Sequence, residues 1–165
     1  MENVVEPSIQ SSEPRKFGGW LILVAVGVII SPLKIIHLIT TTHIPILTDG
    51  TWGILTSESS EAYSPLWGPI ISLEIIINIL LLISSFYLIY LLIKKKKFFR
   101  NTYAFLAIFT AVFIVADAWA VTLVIPEMDV FDAETIKEFS RSLIACVIWV
   151  PYIFISERAK ETFIK

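Results

Sequence analysis

Four apolar runs divide the chain: FGGWLILVAVGVIISPLKIIHLITT (Phe17–Thr41), LWGPIISLEIIINILLLISSFYLIYLLI (Leu66–Ile93), TYAFLAIFTAVFIVADAWAVTLVI (Thr102–Ile125) and ETIKEFSRSLIACVIWVPYIFIS (Glu134–Ser156). The last is the least apolar. A bilayer core about 30 Å thick is crossed by about 20 helical residues, a length that every run reaches. In lipid the backbone must satisfy its own hydrogen bonds, so each run predicts a helix. Segments this long do not read as the short strands of a barrel. The expected fold is an all-α membrane protein, a four-transmembrane-helix bundle over residues 17–156. No internal repeat is visible.

The polar segments predict how the bundle lies. Residues 1–16 (MENVVEPSIQSSEPRK) read as a short disordered tail, without the apolar core and cleavage site of a secretory signal. Basic residues sit at Arg15 and Lys16, at Lys94–Lys97 and Arg100 in the connection 94–101, and at Arg158, Lys160 and Lys165 in the tail 157–165. The connection 42–65 carries Asp49, Glu58 and Glu61, and the turn before the last run carries Glu127, Asp129 and Asp132, with no Lys or Arg in either. Basic loops stay in the cytoplasm, so both termini are expected there. Trp20, Trp52, Trp67 and Tyr103 fall near span ends, where interfacial aromatics belong. The run KKKKFFR reads as a topology determinant resting on anionic lipid.

Composition narrows the possible functions. The chain of 165 residues is 56% hydrophobic and 17% charged, with a net charge of −2. Soluble domains are about 45–50% apolar and about 25% charged. The acidic balance argues against a nucleic-acid partner. One cysteine, Cys146, allows no intramolecular disulfide and no cysteine-based metal site. The two histidines lie close together with no metal motif around them. An intramembrane enzyme with Glu74, His37 and Asp117 as acid and base is a third reading, but no H-E-x-x-H, G-x-S-x-G or cysteine–histidine arrangement occurs, so neither enzymatic activity nor a metal or cofactor is expected.

The runs are interrupted by charges. Asp117 has no charged neighbour between Phe105 and Ile125; Lys34 and His37 lie in the first run, Glu74 and Asn78 in the second, and Arg141 in the fourth. From helical rise, Asp117 and Glu74 fall about 12 Å inside the outer ends of their helices, Lys34 about 11 Å and Arg141 about 10 Å. Helices of alternating direction would thus bring these charges to one level in the outer half of the bilayer. Spacing puts Lys34, His37 and Thr41 on one face, and Trp67, Glu74, Asn78 and Ser85 on another. It likewise groups Thr110 with Asp117, and Glu138 with Arg141, Ala145 and Tyr152. An ionised side chain at the bilayer centre costs about 2.5–3.5 kcal/mol on insertion scales. The expectation is that Lys34 or Arg141 reaches Asp117, with His37 able to titrate beside them. Plainer readings stand next to this one. Arg141 pairs with Glu138 one turn away or snorkels to the interface, as Lys34 can. His37 is a packing residue, Asn78 and Ser85 are interhelical hydrogen-bond formers, and the cluster is a structural lock.

The stretches GGWLILVAVGVIISPL (Gly18–Leu33), SPLWGPIISLEI (Ser64–Ile75), DAW (Asp117–Trp119) and IWVPYIFISERAKETF (Ile148–Phe163) resemble the family called domain of unknown function 2569. The resemblance covers nearly the whole chain after Phe17, and its most specific part is the terminal W-x-P-Y…S-x-R-x-K-x-T-F pattern. It implies a small bacterial inner-membrane protein with four spans and assigns no catalytic residue.

The functional expectation is that Lys34, His37, Glu74, Asn78, Asp117 and Arg141 form a buried polar cluster. It would bind or pass a small polar or amphipathic ligand, a lipid or a proton. Membrane lipids are the expected partners, together with a second copy of the chain or another membrane protein. The alternative is an accessory subunit in which the cluster is only a lock and the long connection, with Trp52 and Tyr63, makes the contact.

Overall fold

The computed structural model describes residues 18–164, all helices and turns with no strand among them. Residues 1–17 and 165 are not described, so the expected disordered tail 1–16 lies outside the described residues.

Helix α1 spans Trp20–Leu38 and is entered through Gly19, whose φ of 64° favours glycine. A Cβ at Gly19 would stand 2.8 Å from Arg158 Nη1. The first run was expected to end at Thr41, but the helix continues. A π-helical turn, Ile39–His43, follows α1 directly and leads into α2, Ile44–Thr48. The Ile44 N–H reaches back to the Ile39 carbonyl, five residues away. The cause is local. Pro45 has no N–H, and its ring would meet the Thr41 carbonyl in a tight α-turn. The hydroxyls of Thr40 and Thr41 also bond back to carbonyls of Ile36 and His37 at 2.8–2.9 Å. Such back-bonding bends helices, and the wider turn takes up the crowding. Trp20–Thr48 is therefore one continuous 29-residue helical segment.

The turn after α2 is made by Asp49 and Gly50. Asp49 Oδ1 accepts the Thr51 N–H at 2.9 Å, and the hydrogen bonds from Thr51 hold its carboxyl below the usual range. Helix α3 spans Thr51–Thr56. The connection 42–65, read above as a loop, is thus largely helical up to Thr56.

Helix α4 is Trp67–Ile93, α5 is Phe98–Thr122, α6 is Ala133–Ile155 and α7 is Glu157–Thr162. Helix α5 begins four residues before the expected Thr102, because wholly buried Phe99 draws its first turn into the core. Asp132 caps α6 by accepting the Thr135 N–H at 2.7 Å, and these bonds hold its carboxyl below the usual range. Ser156 ends α6 and caps α7, accepting the Ala159 N–H. Four of the helical segments, Trp20–Thr48, α4, α5 and α6, are long and apolar enough to cross a membrane.

Helix α1 packs on α4, α4 on α5 and α5 on α6, in chain order. The core lies at one end. Leu21, Val24, Ala25 and Val28 of α1 meet Leu88, Leu91 and Leu92 of α4, Phe99 of α5 and Ile153 of α6. Residues 157–164, within the segment expected as a tail, supply part of this core. Ala159 and Phe163 are buried in it, and the Phe163 ring stacks on Phe99 with centroids 4.2 Å apart. Toward the other end the burial thins. Ile108, Val112, Trp119 and Val147 of α5 and α6 are exposed, as lipid-facing residues are.

Candidate functional site

Three helical segments bring polar side chains together at the end of the bundle away from that core. His43, on the π-helical turn, is 1% exposed. Its Nε2 lies 3.3 Å from Asn78 Nδ2 and 3.7 Å from Glu74 Oε1 on α4. Asn78 Nδ2 also donates to the Glu74 backbone carbonyl at 3.0 Å. Asp117 of α5, half-buried, is near enough to Glu74 for the two carboxyl groups to repel each other when ionised. His43 Nδ1 is buried with no hydrogen-bond partner.

Helical rise places these groups at matching heights. His43 is about 8 Å from the Thr48 end of its segment, Glu74 about 10 Å from the start of α4, and Asp117 about 8 Å from the end of α5. Sequence spacing selected Glu74, Asn78 and Asp117, and these three do converge. Ser85, further along the same face of α4, is buried but bonds its own helix, donating to the Leu82 carbonyl at 2.7 Å.

The other three selected residues are placed elsewhere. Lys34, His37 and Arg141 are exposed, and among the described residues no ion pair joins Lys34 or Arg141 to Glu74 or Asp117. The expected pairing of Asp117 with Lys34 or Arg141 is therefore corrected. The buried stripe of α1 runs through Leu21, Val24, Ala25, Val28 and Pro32. Lys34, two residues past Pro32, points to the opposite side. Because the segment continues to Thr48, Lys34 also stands about 21 Å from that end rather than near it. Arg141 lies across α6 from Phe139, Leu143 and Cys146, which face α5.

His43 is the functional candidate that sequence spacing missed. An α-helical register points His37, not His43, along the Lys34 face. His43 instead falls in line with the buried stripe of α1, eighteen residues past Ala25 and eleven past Pro32. That stripe, carried past Thr41 where the apolar run was taken to end, is the sequence signal that could have found it.

An open groove of about 640 Å³ between α5 and α6 is lined by Ala111, Val112, Trp119, Phe139, Leu143 and Cys146, among other apolar residues. It offers no charged group to orient a polar ligand. Among the described residues no group of three His, Cys, Asp or Glu has metal-binding geometry.

No curated protein and no solved structure matches the chain. The sequence model of the family described as protein of unknown function (DUF2569) matches residues 14–164. The terminal W-x-P-Y…S-x-R-x-K-x-T-F pattern lies within that range, and its Ala159 and Phe163 seal the core. The chain therefore belongs to the DUF2569 family.

Proposed function

We propose that this is a bacterial inner-membrane protein with both termini in the cytoplasm. The polar cluster in the outer half of the bilayer binds or passes a small polar or amphipathic ligand, a lipid or a proton. The observation that carries this reading is the convergence of His43, Glu74, Asn78 and Asp117 from three helices of an otherwise apolar bundle. Polar groups inside a membrane are expensive, and an ionisable one marks a functional site by default. The reading is one of binding, because the sequence carries no H-E-x-x-H, G-x-S-x-G or cysteine–histidine arrangement.

The orientation rests on Lys94–Lys97 and Arg100 at one end and Glu127, Asp129 and Asp132 at the other. A green fluorescent protein fused after Lys165 is expected to fluoresce. Alkaline phosphatase inserted in the turn 123–132 is expected to be active. The opposite pattern overturns the orientation.

For the cluster, native mass spectrometry in mild detergent reads retained small molecules or lipids, and proteoliposomes holding a pH-sensitive dye read proton movement. Wild type is expected to exceed Asp117→Asn in at least one of the two. Equality in both removes the reading.

A second reading has its own support. Lys34 is exposed about midway along its span, where an unshielded ammonium in lipid is costly. A neighbouring helix, from a second copy or another membrane protein, would shield it. On that reading the chain is an accessory subunit and the cluster only locks its helices.

A further inference from the structure

We propose that His43, Glu74 and Asn78 form a proton-binding site. Asn78 holds the His43 imidazole in its Nδ1–H tautomer, and the Nε2 lone pair receives one proton. This rests on reading the cluster as a binding site, and it narrows the ligand to a proton.

The orientation of the Asn78 amide follows from its backbone partner. The Glu74 carbonyl oxygen, 3.0 Å away, has no proton to give, so the amide presents nitrogen to it. The same nitrogen faces His43 Nε2 at 3.3 Å. An amide nitrogen carries two N–H bonds, one for each neighbour. Nε2 therefore presents a lone pair, and a neutral imidazole of that kind has its proton on Nδ1. Nδ1 is buried without a partner in either tautomer, so the Asn78 contact on the Nε2 side decides between them.

The charged surroundings of His43 are few. Helix α4 contributes Glu74, and α5 contributes Asp117, which acts on Glu74. Helices α2 and α3 contribute no charged residue. On its own segment, Lys34 and His37 are exposed on the far side.

Proton uptake then follows one course. A proton from the nearer aqueous phase, about 8 Å away by helical rise, bonds to Nε2, and Nδ1 keeps its own. The imidazolium is neutralised by the Glu74 carboxylate, 3.7 Å from Nε2. The Asn78–Nε2 hydrogen bond breaks, since both atoms are now donors, while the bond from Asn78 to the Glu74 carbonyl persists. The His43–Glu74 pair goes from one net negative charge to none.

The test uses the full chain with 15N-labelled histidine in lipid nanodiscs. Long-range proton–nitrogen correlation spectra are followed from mildly alkaline to mildly acidic pH, with His37→Ala assigning the two imidazoles. At alkaline pH His43 is expected to show the Nδ1–H pattern, and on acidification both of its nitrogens become protonated. In Asn78→Leu the Nδ1–H pattern is expected to be lost in favour of Nε2–H, now donated to Glu74. In Glu74→Gln it is expected to remain, because the Glu74 backbone carbonyl that orients Asn78 is untouched.

An Nε2–H pattern in the wild type overturns the proposal. So does an Asn78→Leu spectrum like the wild type, a Glu74→Gln spectrum that switches tautomer, or an imidazole that stays neutral throughout. The wild-type signature needs no variant to fold. A chain that shows the tautomer switch, yet retains no ligand and moves no proton in proteoliposomes, contradicts the proposed function and leaves the proton site standing.

Discussion

Phe99→Ala is expected to lower the unfolding free energy by about 3–5 kcal/mol, the usual cost of emptying a fully buried phenylalanine site. Phe99 is 0% exposed and stacked on Phe163 at 4.2 Å, beside Leu21, Leu91 and Ile153. It starts α5 and seats the C-terminal segment, so its loss opens a void shared by several helices. Phe105→Ala is the matched control, because Phe105 lies on the same helix but is 66% exposed. In a membrane that ring touches lipid, and its removal is expected to cost less than about 1 kcal/mol, as surface substitutions do. Denaturation of both variants in detergent micelles, followed by circular dichroism, makes the comparison. Equal losses would mean that the core drawn here does not hold the bundle.

Leucine substitutions in the polar cluster are expected to act non-additively. His43→Leu alone removes the acceptor of one Asn78 N–H and the neighbour of Glu74. It should destabilise by about 1–3 kcal/mol, the penalty for stranding buried polar groups. Changing His43, Glu74 and Asn78 together to leucine removes the stranded partners as well. That variant should recover the loss and end neutral or about 1–4 kcal/mol more stable than wild type, as when buried polar pairs give way to apolar packing. The same denaturation measurement decides between the two functional readings. A triple variant less stable than His43→Leu means that the cluster is a lock. A stable triple variant that no longer retains ligand or moves protons means that it is kept for use.

What the sequence revealed, and what it hid, depended on the length of the signal. Runs such as LWGPIISLEIIINILLLISSFYLIYLLI are long enough to decide a span without tertiary detail, and α4 begins one residue after the start of that run. Segments short of a span depended on contacts that composition does not encode. Phe98 and Phe99 follow a lysine run and read as loop until Phe163 is seen to stack on one of them. The sequence TTTHIP reads as a loop because β-branched residues and proline weaken a regular α-helix, whereas a wider turn accommodates both. Ending the first span at Thr41 explains the largest error at the candidate site. It left His43 outside the helix, and the added length lowers Lys34 away from Glu74 and Asp117. Residues on regular α4 and α5, namely Glu74, Asn78 and Asp117, kept the register that simple spacing assigns.

The unbroken path from Trp20 to Thr48 has a mechanical consequence. At helical rise it measures about 43 Å, roughly 13 Å more than a hydrocarbon core of about 30 Å. Such a rod lies oblique or reaches into the headgroups, with its slant set by its packing on α4. His43 rides near one tip while Glu74 is carried by a separate rod. A lipid thickness that altered this slant would shift imidazole against carboxylate, since the two are carried on different helices.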